Sequence, residues 1–319
     1  MTIEDDWKAL HEDALVIDSH NDTIVGLIRR NGQSIAGSDA PMRTTPDSLV
    51  SYLRGPVDSA EIDIQSDLPK MRAGGIDVGY FAIDTTLALG NHLAYVLDGF
   101  GWFSAELQAH SHQVVLATKA SDIEAAKADG KIVAVLAIEN SEALEHSLYV
   151  LPMFYQLGVR TMTLTHSIRT FAGDGEQAHH SGGGLTEFGH DLIRAMNDLG
   201  MLVDVSHLSV PAFWHAMDTT NAPVLASHSA CRALNEHGRN LHDDQLKAIA
   251  DGGGVVGVTC VHHFVDLENP TIDRYLDHVE HAVRVAGIDH VGFGSDFDGG
   301  SYLLADASQV PMITHGLAK

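Results

Sequence analysis

The segment KIVAVLAIEN, residues 131–140, decides the fold, because it runs through aliphatic residues without a break before reaching Glu139. A strand this continuously apolar is buried on both faces, which is typical of a parallel sheet covered by helices. Seven other segments have the same character and end in turn residues. They are ALVIDSHND (14–22), VGYFAID (78–84), VRTMTLTHS (159–167), MLVDVSH (201–207), PVLASHS (223–229), GVVGVTC (254–260) and HVGFGSDFDG (290–299).

Helical patterns lie between these strands, and several of them end in glycine, a common helix stop. Thr186 and Asp243 are the predicted N-caps of two of the helices. Eight strands alternating with helices predict an α/β fold, and eight repeats favour the closed (β/α)₈ barrel of the TIM type. The open doubly wound sheet is the alternative fold. No GxGxxG motif follows the first strand, so a dinucleotide site is not indicated.

The composition narrows the class of protein. The chain has 319 residues and a formal net charge of −24, a balance that repels phosphate backbones and argues against nucleic-acid binding. The polar N-terminus, MTIEDDWKALHED, is not a signal peptide, and no apolar run reaches the ~20 residues of a spanning helix. Cys231 and Cys260 do not make a disulfide framework. We therefore expect a cytoplasmic protein with no membrane or nucleic-acid partner.

The carboxyl ends of the predicted strands carry side chains that bind metals or transfer protons. In a barrel these ends meet at one face, which is where active sites lie. One long segment without clear periodicity, residues 29–66, follows the first strand and is expected to form a loop at the same face. The polar residues at the strand ends are His20, Asp22, Glu139, His166, His207, His228 and Asp296.

His20 and Asp22 form an H-x-D pair whose side chains point the same way along a strand. A single histidine at a strand end is usually a hydrogen-bonded structural residue. Glu139, His207 and His228 would join the pair, however, and three histidines and two carboxylates left unpaired in one place would be costly. Imidazole and carboxylate ligands suit zinc-class ions, so the pattern favours a metal site.

Asp296 and Arg239 each allow a structural and a functional interpretation. Asp296 lies in GFGSDFDGG, where an aspartate is either a turn residue or a general base and acid beside the metals. Arg239 lies in EHGRNLHDD, where an arginine forms either a surface ion pair or a bidentate clamp on a substrate carboxylate.

Taken in order, the motifs VIDSHND, IEN, MTLTHS, LVDVSH, SHSACRAL, RNLHDD and GFGSDFDG resemble those of the renal (membrane) dipeptidase family, peptidase family M19, in the amidohydrolase superfamily. The resemblance covers about residues 14–300 and implies an amidohydrolase-like barrel with two Zn²⁺ ions per chain. It implies that His20 and Asp22 bind one zinc, that His207 and His228 bind the other, and that Glu139 bridges both. It also implies that His166 contacts the scissile carbonyl.

The resemblance further implies that Arg239 holds the substrate carboxylate and that Asp296 transfers protons. The expected activity is zinc-dependent hydrolysis of dipeptides, L,D-dipeptides included, by a metal-bridging hydroxide. The expected partners are small dipeptides, with a homodimer as the expected assembly. Two alternatives stay open: another amidohydrolase-type reaction on lactones or phosphoesters, which would not need Arg239, and a metal-binding barrel that has lost its activity.

The chain departs from the family pattern at three places. Asn140 follows the bridging glutamate where a glycine is more usual, and the segment Cys260–His263 stands where some relatives place an aromatic residue against the substrate. The sequence also stops at GLAK, soon after the last strand. We expect residues 1–319 to form a single metallohydrolase barrel domain that is cut short at its C-terminal end.

Overall fold

The strands of the protein form one parallel sheet. A computed structural model describes residues 3–30, 33–37, 48–54, 63–86 and 90–319. The strands found in this described part are β1 (Ile17–Asn21), β2 (Val78–Asp84), β3 (Val114–Leu116), β4 (Ile132–Glu139), β5 (Val159–Thr163), β6 (Leu202–Asp204), β7 (Leu225–Ser229), β8 (Val255–Thr259) and β9 (Val291–Gly294).

Helices connect the strands and cover the outside of the sheet. Among the described residues they are α1 (Ile3–Asp13), α2 (Thr23–Arg29), α3 (Leu49–Arg54), α4 (Leu68–Ala73), α5 (His92–Ala109), α6 (Ala120–Ala128), α7 (Leu151–Leu157), α8 (Glu187–Leu199), α9 (Val210–Thr219), α10 (Asp243–Asp251), α11 (His262–Val265), α12 (Ile272–Ala286) and α13 (Pro311–Leu317). Short 3₁₀ turns join several of them. No helix within the described ranges is long and apolar enough to span a membrane.

Eight of the strands close into a barrel. Strand β1 pairs with both β2 and β9, and β2 pairs with β4, so the ring is β1, β2, β4, β5, β6, β7, β8 and β9. Strand β3, which the sequence did not predict, pairs with the first residues of β4 and with no other strand among the described residues. The closed ring confirms the (β/α)₈ prediction and rules out the open sheet.

Burial explains why the strands could be predicted from the sequence. Every residue of β4 is buried, as expected for a strand that faces the barrel interior on one side and helices on the other. The predicted segment 78–84 coincides with β2. Other predicted segments run past their strands, since β5 ends at Thr163 and β6 at Asp204. His166 and His207 therefore lie in the loops that follow these strands, and not on the strands themselves.

One of the two predicted helix caps is confirmed. The Thr186 side chain accepts a hydrogen bond from the Gly189 amide at the start of α8, as an N-cap does. The prediction for Asp243 was wrong by one residue, because His242 is the N-cap and its amide donates to the Gln245 side chain. Asp243 instead occupies the first helical position, where a carboxylate interacts favourably with the helix dipole.

The segment 29–66 was predicted to be a loop at the carboxyl face, and residues 31–32, 38–47 and 55–62 of it lie outside the described residues. The described part contains α3, which packs against α2 and α5 and was not predicted. Near the end of the segment, Gln65 lines the cavity at the carboxyl face and accepts a hydrogen bond from the Asp298 amide. This end of the segment therefore lies where the loop was expected.

Candidate active site

A cavity of about 500 Å³ opens at the carboxyl ends of the strands. Its size is within the range of small-molecule sites. Six of the seven polar residues predicted from the strand ends line it, together with Arg239, while His20 lies just beneath. The six are Asp22, Glu139, His166, His207, His228 and Asp296. The structure therefore brings together residues that are far apart in the sequence.

Glu139, the last residue of β4, lies at the centre of the cluster. Its Oε1 is 2.9 Å from His207 Nε2 and 3.5 Å from His228 Nε2. Its Oε2 is 3.8 Å from His20 Nε2. One carboxylate thus faces two separate groups of donors, which is the arrangement expected of a bridging ligand.

His20 and Asp22 form the second group. The distance from His20 Nε2 to Asp22 Oδ2 is 3.7 Å, and the His20 ring stacks on His228 with 3.9 Å between ring centroids. His20 Nε2 and Asp22 Oδ1 are buried and have no hydrogen-bond partner among the described residues. Buried polar atoms without partners are costly, and a bound cation would satisfy both of these atoms.

The donor set fits a pair of metal ions. His20, Asp22 and Glu139 form one group of potential ligands and Glu139, His207 and His228 form another, with the ligand atoms of each group within 4.8 Å of one another. The Nε2 atoms of His207 and His228 are 2.9 Å apart. Both groups combine imidazole nitrogen with carboxylate oxygen, the ligands of zinc and related divalent ions.

Burial and the close charges shift the pKa values of the clustered side chains. Burial alone would lower the pKa of His20, but Glu139, Asp22 and Asp296 outweigh it and raise the pKa to about 10. Burial raises the pKa of Glu139 to about 7 and lowers the pKa of His207 to about 4. Burial and the neighbouring charges thus shift the pKa values of adjacent histidines in opposite directions.

Asp296 follows β9 and lies beside Asp22. A Cβ placed on Gly299 would be 2.1 Å from Asp22 Oδ2 and 2.2 Å from Asp296 Oδ1, so the two carboxylates share the space over a glycine backbone. Burial and the charge of Asp22 raise the pKa of Asp296 well above its usual value. Its φ of 57° lies in the left-handed region. Asp298, two residues on, is buried and accepts hydrogen bonds from Gln65 and Thr23, which is a structural role.

Arg239 is a buried cation and not a surface ion pair. It is 5% exposed, its Nη2 donates to the carbonyl of His228 at 3.1 Å, and its guanidinium lies 5.3 Å from the ring centroid of Phe264. It also lines the cavity. Of the two interpretations of Arg239, this position favours the clamp on an anionic group.

His166 lies in the loop after β5 and faces the same cavity. Its ring stacks on His207 with 4.0 Å between centroids, and its Nε2 is 3.9 Å from Glu139 Oε1. Burial and the neighbouring His207 lower its pKa. A neutral imidazole here keeps one N–H that can be donated to a ligand in the cavity.

Sequence reasoning missed three acidic residues at the site. Asp84 ends β2 opposite Glu139, and the rule applied to the other strand ends would have found it. Asp204 ends β6, where it accepts hydrogen bonds from the amides of Ser206 and Ser227.

Glu176 is the third missed residue. It lies in the loop after β5, where no periodicity or motif marks it. Burial would raise the pKa of Glu176, but contact with His207 and the charge of Arg239 lower it to about 2.

Comparisons with known proteins identify the family of this chain. The family model of the membrane dipeptidases, peptidase family M19, matches residues 4–319. The dipeptidase verJ of Clonostachys rogersoniana is 36% identical over 219 residues, which are 67% of this chain and 56% of that protein. An uncharacterized dipeptidase of Schizosaccharomyces pombe is 33% identical over 334 aligned positions, covering 96% of this chain and 74% of that protein. The matched region is thus only about half of the first relative.

A solved structure shows the same fold. The metallopeptidase of Rhodobacter sphaeroides, liganded with a phosphinate mimic of the dipeptide L-Ala-D-Ala, has 26% identity and a TM-score of 0.79. The comparison covers 95% of this chain and 92% of that chain. The barrel, with its cluster of histidines and carboxylates at the carboxyl ends of the strands, has the fold of a metallopeptidase. The chain belongs to the membrane dipeptidase family, peptidase family M19.

Proposed function

We propose that this chain is a dipeptidase that uses two zinc ions to hydrolyse the peptide bond of dipeptides, L,D-dipeptides included. The observation that carries the proposal is one cavity in which Glu139 joins two groups of metal-binding donors while the buried Arg239 lies on the same wall. The ligand of the Rhodobacter sphaeroides relative, a mimic of L-Ala-D-Ala, supports the stereochemistry.

Substrate binding depends on Arg239. Its guanidinium is held by the His228 carbonyl and by the face of Phe264, and both contacts limit its freedom to move. A planar guanidinium binds a carboxylate through two parallel hydrogen bonds, so a free carboxyl terminus would be fixed in one orientation. A binding site for that terminus favours dipeptides over lactones and phosphoesters.

Bound metal ions would supply Lewis acidity and lower the pKa of a water molecule towards ~7. Side chains of the protein would stabilise the developing charge and transfer the protons. The N–H of His166 would stabilise the negative charge that develops on the carbonyl oxygen as water adds to the carbonyl carbon. Asp296 would accept the proton of this water and return it to the leaving amine as the C–N bond breaks.

The experiment that tests this function measures metal content and hydrolysis of L-Ala-D-Ala together, in the wild type and in Asp296→Asn. We expect two zinc ions per chain in both proteins, because Asp296 is outside both donor groups, and a loss of kcat of roughly 10²–10⁴-fold in the variant. Two zinc ions without dipeptide hydrolysis in the wild type would favour the lactone or phosphoester alternative. No metal after reconstitution with zinc would contradict the proposal.

Three further features are proposed with this function. We infer that residues 1–319 form one barrel domain, that the protein is cytoplasmic and that it assembles as a homodimer. The domain can be checked by limited proteolysis, which should leave one resistant core. The assembly can be checked by sedimentation velocity, which should show twice the monomer mass of 34.3 kDa.

A further inference from the structure

Glu176 is a carboxylate that lines the same cavity beside His207, and it belongs to neither donor group. Its Oε2 is 3.7 Å from Nδ1 of His207, and its side chain is 8% exposed. The other nitrogen of the same ring, Nε2, is 2.9 Å from Glu139 Oε1. The imidazole of His207 therefore lies between two carboxylates, one in the metal cluster and one outside it.

The main chain fixes Glu176 relative to His207. The Glu176 amide donates to the His207 carbonyl at 2.9 Å, and Gly175 forms a bridge with Leu208. The loop also folds tightly on itself, since a Cβ on Gly175 would lie 2.0 Å from the carbonyl oxygen of His166. The loop that carries His166 is thus attached to the segment that carries His207, and Glu176 is the side chain at the junction.

His207 has a strained backbone conformation that the surrounding structure must hold. Its φ of 69° is in the left-handed region that residues other than glycine rarely adopt. Its Nδ1 is buried and has no hydrogen-bond partner among the described residues, and the Glu176 carboxylate lies 3.7 Å from it. Without an acceptor, nothing would decide which ring nitrogen carries the proton.

The ring of His228, in the same donor group, is oriented by a chain of hydrogen bonds. Its Nδ1 is 2.8 Å from Ser227 Oγ, and this hydroxyl in turn contacts the carboxylate of Asp204. Metal-binding histidines generally donate their second N–H to such a partner, which fixes the tautomer and the orientation of the ring. Glu176 occupies the equivalent place behind His207.

We propose that Glu176 is a positioning residue for the metal centre: its carboxylate accepts the Nδ1–H of His207 and so directs the lone pair of Nε2 towards the site shared with Glu139 and His228. The inference rests on the proposed metal centre and adds a residue that orients one of its ligands. It requires the 3.7 Å contact to shorten to hydrogen-bond distance when the ligands are engaged.

The test is the affinity for each of two Co²⁺ ions in Glu176→Gln, measured by competition with a chromogenic chelator and by the visible spectrum of bound Co²⁺. We expect one ion to bind as in the wild type and the other to bind about 10–100-fold more weakly, with a changed spectrum. Glu176→Asp, which keeps the negative charge, should recover part of this affinity. The matched control is Glu142→Gln, because Glu142 accepts the Phe171 amide in the same loop and makes no contact with His207 among the described residues.

Wild-type affinity for both ions in Glu176→Gln would overturn the inference, as would an equal loss in Glu142→Gln. If Glu176→Gln does not fold, as judged by circular dichroism, then Glu176→Asp decides: weaker binding of one ion with wild-type binding of the other would support the inference, and wild-type affinity and spectrum for both ions would contradict it. A wild type that binds two ions but does not hydrolyse dipeptides would contradict the proposed activity while leaving the affinity comparison valid.

Discussion

At the scale of single residues, the site contains backbone conformations and a buried charge that are unfavourable in most parts of a protein. His207 and Asp296 have left-handed backbone conformations, and Arg239 is a cation removed from water. Strained or desolvated residues of this kind persist only where the surrounding structure holds them, and they cluster at functional sites. Their positions here agree with roles in binding and proton transfer.

Replacing Arg239 by lysine should weaken substrate binding. Lysine cannot form the bidentate pair with a carboxylate, and the loss of a charge-assisted hydrogen bond costs about 1.5–3 kcal/mol, so we expect KM for L-Ala-D-Ala to rise by roughly 10–100-fold. Steady-state kinetics measures the change. The control substrate is the dipeptide amide, which lacks the carboxylate and should be hydrolysed equally by both proteins. An equal loss on both substrates would show that the variant disturbs His228 and not the clamp.

The two cysteines should be chemically inert in the folded protein. Burial raises the pKa of Cys231 to about 12 and the pKa of Cys260 well above its usual value. Because the thiolate is the reactive form, very little of it exists at about pH 8. We expect Ellman's reagent to titrate no thiol in the native protein and two in denaturant. Rapid labelling of native protein would mean that one cysteine is accessible.

At the scale of elements, strands β7, β8 and β9 approach so closely that only glycine fits between them. A Cβ on Gly257 of β8 would lie 2.2 Å from the Ser227 carbonyl oxygen, and a Cβ on Gly294 of β9 would lie 1.9 Å from the same atom. Ser19 Oγ fills this space and donates to the carbonyls of Ser227 and Phe293. This contact fixes the strand that carries His228.

Gly257→Ala should therefore destabilise the protein. The added methyl group must displace backbone, and overpacking of this kind costs about 1–3 kcal/mol of unfolding free energy, measured by urea denaturation. The matched control is Gly101→Ala in α5, where no atom lies within 4 Å of the added Cβ. That change should stabilise the helix by about 0.5–1 kcal/mol. Equal effects of the two substitutions would show that the barrel interior is looser than described.

At the scale of the whole molecule, barrel closure gathers ligands that the chain spreads widely. His20 lies in the first strand, and Asp296 follows the last strand. The amide of Asp296 donates a hydrogen bond to the His20 carbonyl at 2.9 Å. A metal ion held by the cluster would therefore link the first and last strands of the barrel. The stability of the fold and the occupancy of the site should be linked.

Removal of metal should lower the melting temperature. A ligand present at 100 times its Kd stabilises the folded state by about 2.7 kcal/mol per site, so we expect zinc to raise the melting temperature by several degrees and a chelator to reverse the change. Differential scanning calorimetry measures both. Glu139→Gln, which weakens both donor groups, should lose most of the increment. A melting temperature that does not depend on zinc would contradict the metal centre.

Much of the fold was predictable from the sequence because a strand that is buried on both faces has a continuous apolar sequence. Segment 78–84 matched β2, and the uninterrupted aliphatic residues before Glu139 matched β4. The short strand β3 and the helix α3 were missed, since neither has a long apolar pattern. The strand-end rule also located the candidate residues from His20 to Asp296, although their roles in metal binding and catalysis stay predictions.

By itself, the sequence determined the alternation of strands and helices and the kinds of side chain that follow each strand. Only the tertiary structure decided that Arg239 is buried, that His166 and His207 lie in loops, and that Glu176 contacts His207. The physical reason is the range of the interactions. Apolar periodicity is a local property of the chain, whereas the position of a loop residue is set by backbone hydrogen bonds and close contacts with segments far away in the sequence.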